Sequence, residues 1–171
     1  MQVFKEKARF NYTGHGWEGI NYRGQSTKEI AKEIRQRLKK EFPQCKFSVR
    51  YKSFTGGSEI QIALMKAPFE VFNKKYKQDK NGNIYTEENY NYAQLNEYTL
   101  LNSTWEDRQG YCNGSYLTPK AWEVLKRVTQ IAFSYNFDDS DGMIDYFHTK
   151  FYLFLTIGKW DKPFKEVMSC K

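Results

Sequence analysis

From Cys45 to Lys52 the chain alternates without a break, with Cys45, Phe47, Val49 and Tyr51 on one parity and Lys46, Ser48, Arg50 and Lys52 on the other. Successive strand side chains point to opposite faces, so the segment predicts a β-strand that buries one side and shows water a basic one. The stretch from about Gln2 to Tyr12 repeats the arrangement, with Phe4, Ala8, Phe10 and Tyr12 facing one way and Lys5, Lys7 and Arg9 the other. After Lys52, the paired Gly56 and Gly57 of SFTGGS suit a hairpin loop. It leads into a further strand, Glu59 to Met65, with Ile60, Ile62 and Leu64 inward and Glu59, Gln61 and Ala63 outward.

Helical periods separate these strands. A Gly-rich connection, TGHGWEGINYRGQS, gives way to Ser26-Thr-Lys-Glu29, a capping-box pattern in which hydroxyl and carboxylate each satisfy a free backbone N–H. Ile30, Ala31, Ile34 and Leu38 then recur at helical spacing beside a basic stripe of Lys28, Lys32, Arg35 and Lys39, read as a solvated face, until Pro43 ends the element. Thr118 as N-cap with Pro119 at the first helical position opens a second helix through Trp122, Leu125, Val128, Ala132 and Tyr135. The acidic loop NFDDSDGM follows. A last strand, FHTKFYLFLTIG, sets Phe147, Phe151, Leu153, Leu155 and Ile157 against His148, Tyr152, Phe154 and Thr156. The closing GKWDKPFKEV has the composition of a turn. Between Lys66 and Leu117 the pattern weakens, with a helix expected from Pro68 through Phe69, Phe72 and Tyr76 and then a Tyr- and Asn-rich run; residues 66–117 read as an insertion.

The resulting order is strand, helix, strand, strand, insertion, helix, strand. It predicts one α+β domain over residues 1–171, with core segments 1–65 and 118–164, and an antiparallel sheet in the split βαβ, or ferredoxin-like, arrangement. Both helices would then cover one sheet face. The opposite face would collect Lys5, Lys7, Arg9, Lys46, Arg50, Lys52, Tyr152 and Phe154, together with Glu59 and Gln61. Cations interleaved with aromatics are a means of holding single-stranded nucleic acid, bases stacking on rings while the cations neutralise phosphate. The RNP signature of RNA-recognition domains is absent, and a solvated face covered in part by the insertion or the tail is the plainer account of the same residues.

Composition narrows the setting. Aromatic residues make up 18% of the 171, enough to build a core despite a mean hydropathy of −0.80. Lys and Arg outnumber Asp and Glu by 27 to 20, for a formal charge of +7, a balance suited to nucleic acid, an acidic protein or an anionic surface. Cys45, Cys112 and Cys170 are sparse, odd in number and without a CxxC pair, which argues against a disulfide scaffold or a zinc site and for a reducing cytosol. The opening MQVFKEKARF holds no apolar run of signal-peptide length, and no stretch approaches a membrane span. The expected place is the cytoplasm of a host bacterial cell, with no membrane partner.

Candidate chemistry is thin. Asp138, Asp139, Asp141 and Asp145 lie close enough to raise a divalent-cation site, but the spacing lacks the sixth-position Gly and twelfth-position Glu of an EF-hand, and turn and capping roles account for them as well. His15 and His148 are the two histidines, and with no GxSxG, HExxH or Walker run they form no recognisable nucleophile and base set. The GxG at Gly14 to Gly16 lacks the third glycine of a dinucleotide fingerprint. No catalytic residue and no cofactor is therefore expected.

Two runs carry a resemblance. STKEIAKEIRQRLKKEFPQCKFSVRYKSFTGGSEIQI and NFDDSDGMIDYFHTKFYLFLTIGKWDKPF resemble the opening and the end of a large polyvalent protein-associated domain, a family of phage, plasmid and other mobile-element proteins. The resemblance spans most of Ser26 to Phe164; the N-terminal strand is an addition to it. These domains look like accessories without an assigned reaction. A short protein of such an element is often a counter-defence factor, so the resemblance implies a binding inhibitor of anti-CRISPR type. Its partner would be a host CRISPR nuclease ribonucleoprotein, met on the protein or on its guide RNA or target DNA through the basic surface. Two alternatives stay open: a metal-dependent nuclease or RNA-processing factor using the acidic loop and His148, and a simple nucleic-acid-binding module.

Overall fold

The computed structural model describes residues 3–7, 16–72, 76–78, 84–86, 92–108 and 117–166. In chain order these form β1 (Phe4–Lys7), β2 (Gly16–Gly19), α1 (Thr27–Glu41), β3 (Lys46–Phe54), β4 (Gly57–Ala67), β5 (Tyr76–Gln78), β6 (Ile84–Thr86), β7 (Ala93–Leu95), α2 (Glu97–Asn102), α3 (Pro119–Phe133), β8 (Phe137–Asp138), β9 (Tyr152–Ile157) and β10 (Lys165–Glu166). The fold is α+β.

Local signals act as the sequence predicts at both long helices. Ser26 accepts the Glu29 N–H while the Glu29 carboxylate takes the Ser26 N–H, a closed capping box at the head of α1. Thr118 caps α3 by accepting the Ala121 N–H, and its hydroxyl donates to the Glu70 carbonyl, tying the helix start to the chain leaving β4. Ile30, Ala31, Ile34 and Leu38 of α1 and Trp122, Leu125, Val128 and Ala132 of α3 are buried with Ile60, Ile62, Leu64, Leu153, Leu155 and Ile157 in one apolar cluster. Arg35, placed by spacing on the solvated stripe, donates to the Val49 carbonyl at 2.8 Å and fastens α1 to β3.

The main sheet is mixed rather than antiparallel. β4 pairs antiparallel with β3 on one edge and parallel with β9 on the other, β7 pairs antiparallel with β9, and β10 adds a short parallel pairing to the end of β4. β1 does not enter this sheet, so the ferredoxin-like order is not realised. It pairs with β2, which pairs with β8, in a separate three-stranded sheet. The reason is occupancy: β3 and β9 take both edges of β4, and the far edge of β9 is taken by β7. The small sheet is held instead at the end of α3, where Trp17 stacks on Phe133 with centroids 5.3 Å apart and Asn21 donates its N–H to the Ser134 carbonyl at 2.7 Å.

Four more expectations change. No helix starts at Pro68; the chain bends at Pro68 and Phe69, Val71 accepts the Thr118 N–H, and Phe72 bridges to Leu117. The segment read as an insertion supplies β7 to the main sheet and Leu95, Leu100 and Leu117 to the core. The last strand starts at Tyr152, leaving Phe147 70% exposed, because the buried Asn136 binds both the N–H and the carbonyl of Phe151 and fixes the strand's entry there. The tail is not only a turn: Phe164 is buried, edge-on to Phe72.

Candidate functional site

The face of the main sheet turned away from α1 and α3 is open among the described residues. Its side chains fall into three rows set by register. Lys52 lies opposite Glu59, which lies opposite Tyr152; Arg50 opposite Gln61, opposite Phe154; and Ser48 opposite Ala63, opposite Thr156, opposite Gln94. Paired residues point the same way, so Arg50, Lys52, Tyr152 and Phe154 share one face. Tyr152 and Phe154 are 47% and 40% exposed, which decides that neither is a core residue.

The other predicted cations are placed differently. Lys46 is exposed but lies past a register shift, opposite Lys66 at the far end of β3. Lys5 is exposed on β1, a strand of the separate sheet, and is not part of this face. Lys7 is on the same strand by its backbone, and its side chain lies outside the described residues, as does Arg9 altogether. The basic surface expected from converging strands is therefore carried on this face by Arg50 and Lys52, with Lys159 joining them.

Lys159 belongs to the turn after β9. Its Nζ donates to Ser48 Oγ at 2.8 Å, and burial, followed by the charge of Arg50, holds its ammonium below the ordinary lysine pKa of 10.5, with Asp161 opposing. The row Ser48, Ala63, Thr156 consists of short side chains. Between the longer row of Arg50, Gln61 and Phe154 and the turn carrying Lys159 and Trp160, it forms the floor of a groove of about 340 Å³, walled at the β7 edge by Tyr92 and Gln94. Gln61 donates to the Glu59 carboxylate at 2.7 Å, which anchors it within the face. Trp160 is 86% exposed. At the hairpin end Phe54 stacks on Tyr152, centroids 6.3 Å apart and 24° between planes.

Several of these residues escaped sequence reasoning. Phe54 continues the parity of Arg50 and Lys52 and was legible in principle. Trp160, Lys159, Tyr92 and Gln94 were not, because they enter the face from a turn and from an edge strand without periodic signal.

The acidic loop is built for structure. Asp138 accepts the Ser140 N–H and Asp141, buried, accepts the Met143 N–H, while Asp139 sits 3.9 Å from His148 Nδ1. Among the described residues no three His, Cys, Asp or Glu side chains gather as a metal site, and His15 lies outside those residues. No described helix is long and apolar enough to cross a membrane.

The family model of large polyvalent protein associated domain 29 matches residues 25–120, more than half of the chain. The chain belongs to that family. Membership associates it with phages and other mobile elements. The domain 29 match runs from Gln25, the residue before the N-cap of α1, through β3, β4, β7 and α2 to the first turn of α3. Tyr152, Phe154 and Trp160 lie beyond it, as does the closing run that resembled the family's end. No curated protein and no solved structure matches the chain.

Proposed function

We propose that this is a mobile-element counter-defence protein of anti-CRISPR type, a binding inhibitor that holds the guide RNA or target DNA of a host CRISPR nuclease on the open face of its main sheet. The observation that carries the reading is the register that puts Arg50 and Lys52 in rows with Phe154 and Tyr152. Exposed rings stack unpaired bases at about 1–3 kcal/mol each, and guanidinium and ammonium groups neutralise phosphate with a steep salt dependence. Glu59 in the Lys52 row offsets part of that charge, so aromatic contact carries much of the affinity. The formal charge of +7 favours contact with nucleic acid over mimicry of it.

The test is target cleavage by purified CRISPR ribonucleoproteins with and without the protein, beside fluorescence anisotropy of labelled single-stranded RNA and DNA. The wild type should inhibit a ribonucleoprotein and bind single strands, and Arg50→Glu with Lys52→Glu should weaken both and flatten the salt dependence. Charge reversals that leave inhibition and binding intact would remove this face from the mechanism.

A further inference from the structure

Resting on the reading just given, we infer that the groove beside Trp160 is a pocket for a single unpaired nucleobase, so that the face grips a base as well as a backbone. The small floor residues Ser48, Ala63 and Thr156 are what make room: the rows on either side of a flat sheet face would otherwise be continuous. The groove's volume of about 340 Å³ lies at the small end of ligand pockets, about 300–1,000 Å³, and suits one planar ring better than an extended chain.

Its lining has the chemistry of a base and not of a phosphate alone. Tyr92, Phe154 and Trp160 bring three aromatic side chains to the lining, and Trp160 is 86% exposed, so its ring is accessible to a ligand. Gln94 and Gln61 carry amides able to donate and accept, as the edge of a base requires. Arg50, exposed and among the lining residues, supplies a cation for the attached phosphate, while Lys159 donates to Ser48 and Asp161 sets a carboxylate on the turn, which discourages a second phosphate at that end. An apolar peptide side chain would use neither the amides nor the cation.

Fluorescence anisotropy with short single strands tests this in their base-bearing and abasic forms, against the wild type, Trp160→Ala, Gln94→Ala and Arg50→Glu, all checked for an unchanged melting curve. Stacking of one base predicts that Trp160→Ala weakens binding of base-bearing strands by at least about fivefold. It should leave the salt slope unchanged, whereas Arg50→Glu lowers that slope. Abasic strands should bind the wild type no better than base-bearing strands bind Trp160→Ala. A Trp160→Ala protein that binds as the wild type does overturns the pocket while leaving the single-strand reading standing, whereas equal wild-type affinity for base-bearing and abasic strands overturns the pocket and base stacking on Tyr152 and Phe154 together. Absence of binding to every strand overturns both.

Discussion

Lys159 Nζ donates to Ser48 Oγ at 2.8 Å, joining the turn after β9 to a strand on the far side of β4. The contact draws an ammonium toward the sheet beside Arg50, and burial and that charge lower its pKa. A lysine whose folded pKa is depressed binds fewer protons folded than unfolded, so stability rises with pH from the folded pKa up to the ordinary 10.5. Lys159→Met abolishes that titration. In urea denaturation the wild type should therefore gain stability relative to Lys159→Met as the pH climbs toward 10.5, and a difference that stays flat or runs the other way contradicts the assignment.

Glu97 opens α2, and partial burial pushes its carboxyl above the ordinary 4.5. A raised carboxyl pKa means that its stabilising share is whole below 4.5 and is lost as the pH rises through the folded pKa. Glu97→Gln should consequently raise the thermal midpoint at neutral pH, with the gap closing on acidification toward 4.5. A variant less stable than the wild type at neutral pH would show that the carboxylate is needed there.

Thr118 serves two partners, the Ala121 N–H and the Glu70 carbonyl. Thr118→Ala removes the cap and should cost about 0.5–2 kcal/mol in chemical denaturation, toward the upper end because the tie to Glu70 goes as well. Thr118→Ser keeps both bonds and should restore most of the loss.

Gly19 lies so close to the end of α3 that a Cβ would overlap the Ser134 carbonyl and the Phe133 oxygen. Its φ is not among the positive ones, so the constraint is space rather than backbone conformation. Gly19→Ala must push β2 away from α3 and should cost about 1–3 kcal/mol. A destabilisation near zero would mean that the small sheet can shift freely on the helix.

Base binding has its own prediction in the aromatic pair at the hairpin end. Phe54 stacks on Tyr152, and both rings remain about half exposed, at 44% and 47%. If single strands cross this face, Tyr152→Ala should reduce their affinity by on the order of fivefold or more in anisotropy titrations, with an unchanged salt slope. An unaltered affinity would confine the strand to the Arg50 row and the groove.

By itself the sequence determined what depends on neighbours along the chain. The Ser26 and Thr118 caps, the buried stripes of α1 and α3, a tight turn at Gly56 and the alternation of faces along β3, β4 and β9 follow from short spacings, because capping bonds and side-chain alternation are local, while burial departs from that alternation at Tyr51, which is exposed, and at Ala63, which is buried. The sharing of one face by Arg50, Lys52, Tyr152 and Phe154 followed from those parities once their strands paired. Which strands pair was decided by the tertiary structure. Two runs of identical parity, at Phe4–Lys7 and Lys46–Phe54, went to different sheets because an edge admits one partner and the edges of β4 and β9 were filled by β3, β7 and each other. The same long-range packing brought Trp160 and Gln94 to the row of Ser48 and Ala63, and a groove made from residues distant in sequence leaves no periodicity by which to be read.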